Sequence, residues 1–362
     1  MIPPSAALGA EGAALWRRVA ALVARGPDAP LDPAERDALG LDLVRWQRQR
    51  CPAIDRVIRA FADDLEAEAL DRVPGVPTDA FKSARIACFA PEHTVRTFLT
   101  SGTTAEVRGR HELCDTALYR ASALATGRRW LLPDPPYRFV LLAESEAEAP
   151  HSSLGFMLAR FAEALGLPDD EPPWLVSGGA LDVARARRAL DRATAAGERV
   201  ALLGASFGFV HLLDALGPDR FALPPGSVAM PTGGFKGRSR EVAPEALFAA
   251  IGEAVGLPRA AVVQEYGMTE LCSQCWEADA PGRYVAPPWV AVSAVDPATL
   301  APRPAGEQGI LRIVDLSNVG SAAVVQTADL GCVHADGSFE VHGRSPGATP
   351  RGCARALDAL LT

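Results

Sequence analysis

The 362-residue sequence lacks the features that would tie it to a membrane, a nucleic acid or an oxidising compartment. No apolar run approaches the roughly 18–20 residues that cross a bilayer. The first apolar stretch, Leu15, Trp16, Val19, Leu22 and Val23, recurs at helical spacing and is interrupted by Arg17 and Arg18. It therefore reads as an amphipathic surface helix rather than a secretory signal. There is no basic surplus: the net charge is −8, which argues against binding a nucleic-acid backbone, where affinity comes from a positive face. A small anionic ligand stays open, because a local cluster of donors can hold one inside an acidic protein. Paired cysteines are lacking too. The seven present are scattered and odd in number, in a chain far larger than disulfide-stapled domains, and this fits a reducing cytoplasm. Cys272 and Cys275 form a C-x-x-C pair without a second Cys or His pair at zinc spacing, so they read as ordinary buried thiols. Aromatic residues, at 6%, define no ring-lined pocket.

What is present is the composition of a folded globular protein, 48% hydrophobic and 22% charged. The length exceeds what one core usually fills, so one large or two unequal domains are expected. Residues 1–72 read as a helical N-terminal segment that ends at Arg72-Val73-Pro74-Gly75-Val76-Pro77. Residues 73–287 alternate short apolar runs with helical stretches. Phe139–Ala143, Arg199–Leu203 and Ala261–Val263 read as buried strands, and 180–197 as a helix. Strands separated by helices imply an α/β fold with a mainly parallel sheet. Residues 288–343 carry strand-like pieces and turns at Asp296-Pro297 and Asp336-Gly337, a smaller β-rich subdomain. Residues 344–362 form a short tail.

Four segments carry chemistry. Thr100-Ser101-Gly102-Thr103-Thr104 packs hydroxyls and backbone N–H groups around a glycine, a nest suited to phosphate oxygens. The plain alternative is a Ser/Thr turn ahead of a helix; it is not a P-loop, since no lysine follows the glycine at that spacing. Pro231-Thr232-Gly233-Gly234-Phe235-Lys236-Gly237-Arg238 would let a ring or a phosphate approach the backbone at Gly233 and Gly234, or is a glycine turn with solvated basic residues. Gln264-Glu265-Tyr266-Gly267-Met268-Thr269-Glu270 follows a strand-like run, where open α/β sheets bind ligands. There Tyr266 suits base stacking, Thr269 a phosphate and Glu270 a divalent metal. The alternative is a strand-to-helix turn with an exposed acid. In Gln326-Thr327-Ala328-Asp329-Leu330-Gly331, a carboxylate before a turn suits two ribose hydroxyls, unless Asp329 only caps that turn.

The order of these segments, TSGTT, YGMTE, T-x-D-L-G and then Gly343-Arg344, resembles the core motifs of the adenylate-forming superfamily. Further stretches narrow the resemblance to acyl-protein synthetases of the LuxE type: Val76-Pro77-Thr78-Asp79-Ala80-Phe81-Lys82, His151–Met157, Leu203–Phe207, TGGFKGR and Asp315-Leu316-Ser317-Asn318. The resemblance implies an adenylate-forming-enzyme-like large N-terminal domain with a β-rich subdomain. It also implies activation of a carboxylic acid, a fatty acid foremost, with ATP and Mg²⁺. Thr100, Ser101, Gly102, Thr103, Thr104, Gly233, Gly234, Tyr266, Gly267, Met268, Asp329 and Arg344 would then hold the nucleotide, and Thr269 and Glu270 would act in catalysis, Glu270 also as the metal ligand. Relatives carry a mobile C-terminal domain with a catalytic lysine. The sequence ends 18 residues after Arg344, so a tail is expected in its place. Arg351-Gly352-Cys353 resembles the family's acyl-accepting cysteine, Arg351 lowering the thiol's pKa. A reductase partner would receive the acyl group and make an aldehyde with NADPH. His334, His342 or His151 would serve as base for the transfer. Ala105-Glu106 departs from the family pattern, Glu106 being poorly suited to phosphates. The alternatives are an acid–thiol ligase for an aromatic or other non-fatty carboxylate, and a non-catalytic acyl-adenylate-binding subunit.

Overall fold

The structure is a computed structural model that describes residues 6–61, 69–100, 107–233, 242–278, 280–344, 358 and 360. Two compact units emerge, and neither is continuous in sequence. One is built from Met1–Ala125, Gly267–Cys275 and Asp279–Thr362, the other from Thr126–Tyr266 and Trp276–Ala278.

The first unit begins with helices Gly9–Ala24, Pro33–Arg50 and Pro52–Arg59. On the first of these, Leu15, Trp16, Val19, Leu22 and Val23 are all buried, as their spacing predicts. The second starts where the Asp32 side chain accepts from the Ala34 N–H at 2.9 Å and Pro33 supplies a preset φ. The unit's sheet runs Val290–Val295, Gln308–Asp315, Val324–Val333, Phe339–Arg344 and Arg283–Val285, each antiparallel to its neighbour. Val76–Pro77 joins Val324–Val333 in parallel, and the Thr78 N–H donates to the Gln326 carbonyl at 3.1 Å. A separate hairpin pairs Arg96–Leu99 with Arg110–Leu113.

Two irregularities shape the long strand Val324–Val333. Against Gln308–Asp315 the ladder breaks between Ile310 and Arg312. There the Leu311 carbonyl is satisfied by side chains, the Thr327 hydroxyl at 2.7 Å and Gln326 Nε2 at 3.0 Å. Against Phe339–Arg344 the register shifts between Leu330 and Gly331. Gly331 faces Val341 while Leu330 faces Gly343, which leaves His342 as the extra residue of a β-bulge. Both glycines are required: a Cβ at Gly331 would lie 2.2 Å from the Glu340 carbonyl oxygen, and Gly343 has φ +98°.

The second unit has a parallel sheet ordered Arg138–Leu142, Val200–Ala205, Val228–Thr232. Helices Ser153–Leu165, Val183–Ala196, Ser206–Leu216 and Pro244–Val255 are interleaved with these strands. Ser152 caps the first helix through the Gly155 N–H and Asp182 caps the second through the Arg185 N–H, both at 2.9 Å. Val140, Leu142, Leu202, Phe209, Ala229, Phe248 and Ile251 belong to one buried cluster, each no more than 2% exposed. The strand expected at Ala261–Val263 is only a single bridge, Val262 to Ala229, after the 3₁₀ turn Arg259–Ala261. Its paired neighbour Val228–Thr232 is the strand that leads into the Gly-Gly segment.

Among the described residues no helix is long and apolar enough to cross a membrane. Cys272 and Cys275 are both buried thiols, not disulfide partners.

Candidate adenylation site

The chain crosses from the second unit to the first between Tyr266 and Gly267, so the YGMTE segment is divided between them. In the first unit, Gly267–Cys275 is fastened by buried polar bonds. Asp315, fully buried, accepts from the Cys272 N–H (2.8 Å), the Ser273 hydroxyl (2.8 Å) and the Ser317 N–H (2.9 Å). The same Ser273 hydroxyl lies 3.0 Å from that of Ser122, and Trp289 Nε1 donates to both. Asn318 Nδ2 donates to the carbonyls of Glu270 (2.8 Å) and Ala322 (2.9 Å). Gln47 in turn ties down this turn, donating to the Asn318 and Val319 carbonyls and accepting from the Ala323 N–H. The Asp315–Asn318 segment is thus a clamp that fixes the backbone of Glu270 to Ser273.

Thr269 is held from the other side. His111, on the hairpin and 0% exposed, donates from Nδ1 to the Thr269 carbonyl at 2.8 Å. That bond sets the tautomer, and Nε2 has no partner among the described residues. Burial drives the His111 pKa down to about 4, the Thr269 bond and the negative charge of Glu112 opposing this in part. His111 sits opposite Phe98 in the hairpin, and Thr100 lies just beyond the paired residues. Thr100 closes the base of the loop: its hydroxyl accepts from the Gly109 N–H at 2.8 Å and its N–H donates to the Gly109 carbonyl at 2.9 Å. Arg108 Nε donates to the Thr100 carbonyl at 2.5 Å, so this arginine grips the loop base. Phe81 meets His111 edge-on, with ring centroids 5.9 Å apart. Ser101, Gly102, Thr103, Thr104, Gly234 and Cys353 lie outside the described residues.

Glu270 is 5% exposed, and desolvation raises its carboxyl pKa to about 7. Arg344 and Lys82 pull it down and Asp79 pushes it up, which puts all four groups in one electrostatic neighbourhood. Lys82 pairs with Asp79 at 2.8 Å. Asp329 stands within a strand rather than before a turn, at the irregular stretch of Val324–Val333. Its carboxylate meets Arg344 Nε at 3.4 Å, and its N–H donates to the Thr327 hydroxyl at 3.1 Å. The bulge creates this pairing, because it is what sets Arg344 opposite Asp329. The first unit therefore assembles Thr100, Thr269, Glu270, Asp329 and Arg344, with Gly267 and Met268 on the same segment.

The second unit holds Gly233 just past the carboxyl end of its parallel strand Val228–Thr232, the usual ligand-binding edge of such sheets, and Tyr266 in the two-residue strand Glu265–Tyr266 outside that parallel sheet. Gly233 has φ +67° and open space where a Cβ would stand. Its carbonyl accepts from the Ser206 hydroxyl at 2.8 Å. Glu265, half-buried and pushed up to about 7 by desolvation, accepts from the Thr232 hydroxyl at 2.6 Å. Glu265, His111 and the Asp315–Asn318 clamp were not among the expected site residues. Only Asp315–Asn318 had left a trace, as a stretch of family likeness, because pairing registers decide what the others face.

The donor chemistry fits an ATP–Mg²⁺ substrate complex. A carboxyl group that desolvation keeps protonated offers hard oxygen ligands once a divalent cation restores its charge. Arg344 and Lys82 supply positive charge beside it.

The family model for acyl-protein synthetase, LuxE, matches residues 56–362. A long-chain-fatty-acid–luciferin-component ligase of Vibrio harveyi is 31% identical over 104 residues, 26% of this chain and 26% of that protein. The match thus spans about a quarter of that relative's length. Among solved structures, 2-hydroxyisobutyryl-CoA ligase in complex with 2-HIB-AMP and CoA superposes with a TM-score of 0.60 at 16% identity, over 91% of this chain and 79% of that one. ATP-bound MatB from Rhodopseudomonas palustris gives 0.50 at 18% identity, over 69% of this chain and 48%, about half, of its own. These likenesses establish the α/β fold of the adenylate-forming ligases. With the family model covering most of its length, the chain belongs to the LuxE acyl-protein synthetase family.

Proposed function

We propose that the chain activates a carboxylic acid, a fatty acid foremost, with ATP and Mg²⁺, and then carries the acyl group on Cys353. The observation that carries this reading is the buried Glu270 carboxyl group, which feels the charge of Arg344, itself paired with Asp329. In the first step a substrate carboxylate oxygen attacks the α-phosphorus, a P–O bond forms, and the bond to pyrophosphate breaks. This demands positioning and charge neutralisation more than covalent help. Glu270 would hold Mg²⁺, Arg344 and Lys82 would meet negative charge, and Asp329 would accept from the ribose hydroxyls. Thr100 to Thr104, Gly233 and Gly234 would line the nucleotide, with Tyr266, Gly267 and Met268 against its base.

In the second step the Cys353 thiolate attacks the acyl carbon, a C–S bond forms, and AMP leaves. Its proton goes to a base, for which His334, His342 and His151 are the candidates. The acyl-protein would then be handed to a fatty-acid reductase. The variant Cys353→Ala separates the two steps. Acid-dependent ATP–pyrophosphate exchange should persist while protein labelling by radioactive acid vanishes. Labelling that survives would remove Cys353 from the reaction. A panel of fatty acids of graded length beside aromatic acids identifies the substrate class; exchange with aromatic acids alone would favour the non-fatty ligase.

A further inference from the structure

Two central strands of the sheet in the first unit, Val324–Val333 and Phe339–Arg344, hold a second cluster of ligand-type side chains, apart from Glu270. Cys332 and Glu340 are direct cross-strand partners, and His342 is the bulge residue two positions beyond Glu340. Their ligand atoms, Cys332 Sγ, a Glu340 oxygen and a His342 ring nitrogen, all lie within 4.8 Å of one another. His342 Nε2 is 3.2 Å from Glu340 Oε2, His334 Nε2 is 3.0 Å from Glu340 Oε1, and His334 Nε2 is 4.0 Å from Cys332 Sγ.

We propose that Cys332, Glu340 and His342 form a transition-metal site, suited to Zn²⁺, with His334 orienting the Glu340 carboxylate. The donor set mixes thiolate, imidazole and carboxylate, the combination zinc takes. Zinc bonds of about 2.0–2.3 Å set tetrahedral donors roughly 3.3–3.8 Å apart. Glu340 and His342 already stand 3.2 Å apart, and all three ligand atoms lie within 4.8 Å of one another, so side-chain rotations suffice to complete it.

The bulge is what makes the site. It inserts His342 beside Glu340 on the face that also presents Cys332, where a regular ladder would place no third ligand so close. An outer partner is also at hand. Gln308 Nε2 lies 2.9 Å from His342 Nδ1. Turning this amide end for end would let its oxygen accept from Nδ1–H and free the Nε2 lone pair for the metal. Three protein ligands leave a fourth position open, as in sites that bind water or an exogenous ligand. A simple surface ion pair would account for Glu340 between two histidines but not for the buried thiol, 7% exposed, at the same point. The Asp329–Arg344 pair lies on the same two strands, Asp329 three residues from Cys332 and Arg344 two from His342. A metal here would pin the register that the nucleotide site needs. The proposal stands independently of the adenylation reading.

The test titrates Zn²⁺ into the full chain against a chromophoric chelator and records the visible spectrum of the Co²⁺ form. One Zn²⁺ per chain and a thiolate-to-cobalt band are expected. Cys332→Ser should abolish the band, and His342→Ala should weaken zinc binding at least roughly tenfold. His334→Ala should weaken it less, and Cys353→Ser should leave both readouts unchanged. Glu340→Gln, at a half-exposed position, is the check should Cys332→Ser fail to fold; it too should weaken zinc binding. The proposal is overturned if the wild-type chain takes up no metal. It is equally overturned if His342→Ala and Glu340→Gln bind as tightly as wild type, or if Cys353→Ser removes the band.

Discussion

Three desolvated titratable side chains set how single residues respond to pH. Glu265 and Glu270 keep their protons in the folded chain up to about pH 7, whereas the unfolded chain releases them near 4.5. Their contribution to stability is whole below 4.5 and is lost as pH rises towards 7. His111 acts in the opposite sense. It is neutral in the fold down to about pH 4 but takes up a proton below 6.5 when unfolded, so its cost appears as pH falls from 6.5 to 4. His111→Asn keeps a donor for the Thr269 carbonyl and should flatten the acid-side loss, worth on the order of 3 kcal/mol, in melts taken between pH 4 and 7. An unchanged acid slope would show that His111 is not the group responsible. Glu270→Gln is nearly isosteric and should leave the fold intact. ATP–pyrophosphate exchange should fall on the order of a hundredfold, because a neutral amide holds a divalent cation poorly.

At the scale of elements, the strands of the second unit were legible because buried parallel strands are short apolar runs between helices. The run Ala261–Val263 was apolar as well, yet only Val262 bridges to the sheet. The sequence offered no means of telling a full strand from one bridge. The turn expected after Asp329 was misplaced for a related reason. Ala328, Asp329 and Gly331 resemble turn residues, but the Thr327 hydroxyl and Gln326 amide stand in for ladder bonds and carry the strand through. Asp315 shows what local reading misses altogether. Its three donors come from Cys272, Ser273 and Ser317, and two of these are more than 40 residues away. Asp315→Ala would leave them buried and unpaired, at a cost of about 3 kcal/mol or more. A markedly lower melting temperature is expected, together with weakened exchange, since the Glu270–Ser273 backbone loses its clamp.

For the whole molecule, composition gave the class and motif order gave the family, but the discontinuous units could not be read from chain order. Trp276–Ala278 returns to the second unit, where Glu277 pairs with Arg259 at 2.8 Å and accepts from the Gln264 N–H at 3.3 Å. Residues 126–278 expressed as a fragment should therefore be more stable than residues 126–266, by about 1–3 kcal/mol, since the Glu277 side chain is 5% exposed and that of Arg259 29%. Equal stability would mean that the returning segment adds nothing to this unit.

The bulge at His342 has a consequence of parity. Side chains alternate along a strand, so one extra residue changes the partner of everything that follows it. In a regular ladder His342 would pair with Leu330, Asp329 would face Gly343 and Arg344 would be carried opposite Ala328. One residue inserted between Gly343 and Arg344 should thus disable the nucleotide site as Arg344→Ala does, with the arginine still in the chain, whereas deleting His342 should regularise the ladder and keep Arg344 opposite Asp329. The site depends on how the residues between Val341 and Arg344 are paired as much as on which residues they are.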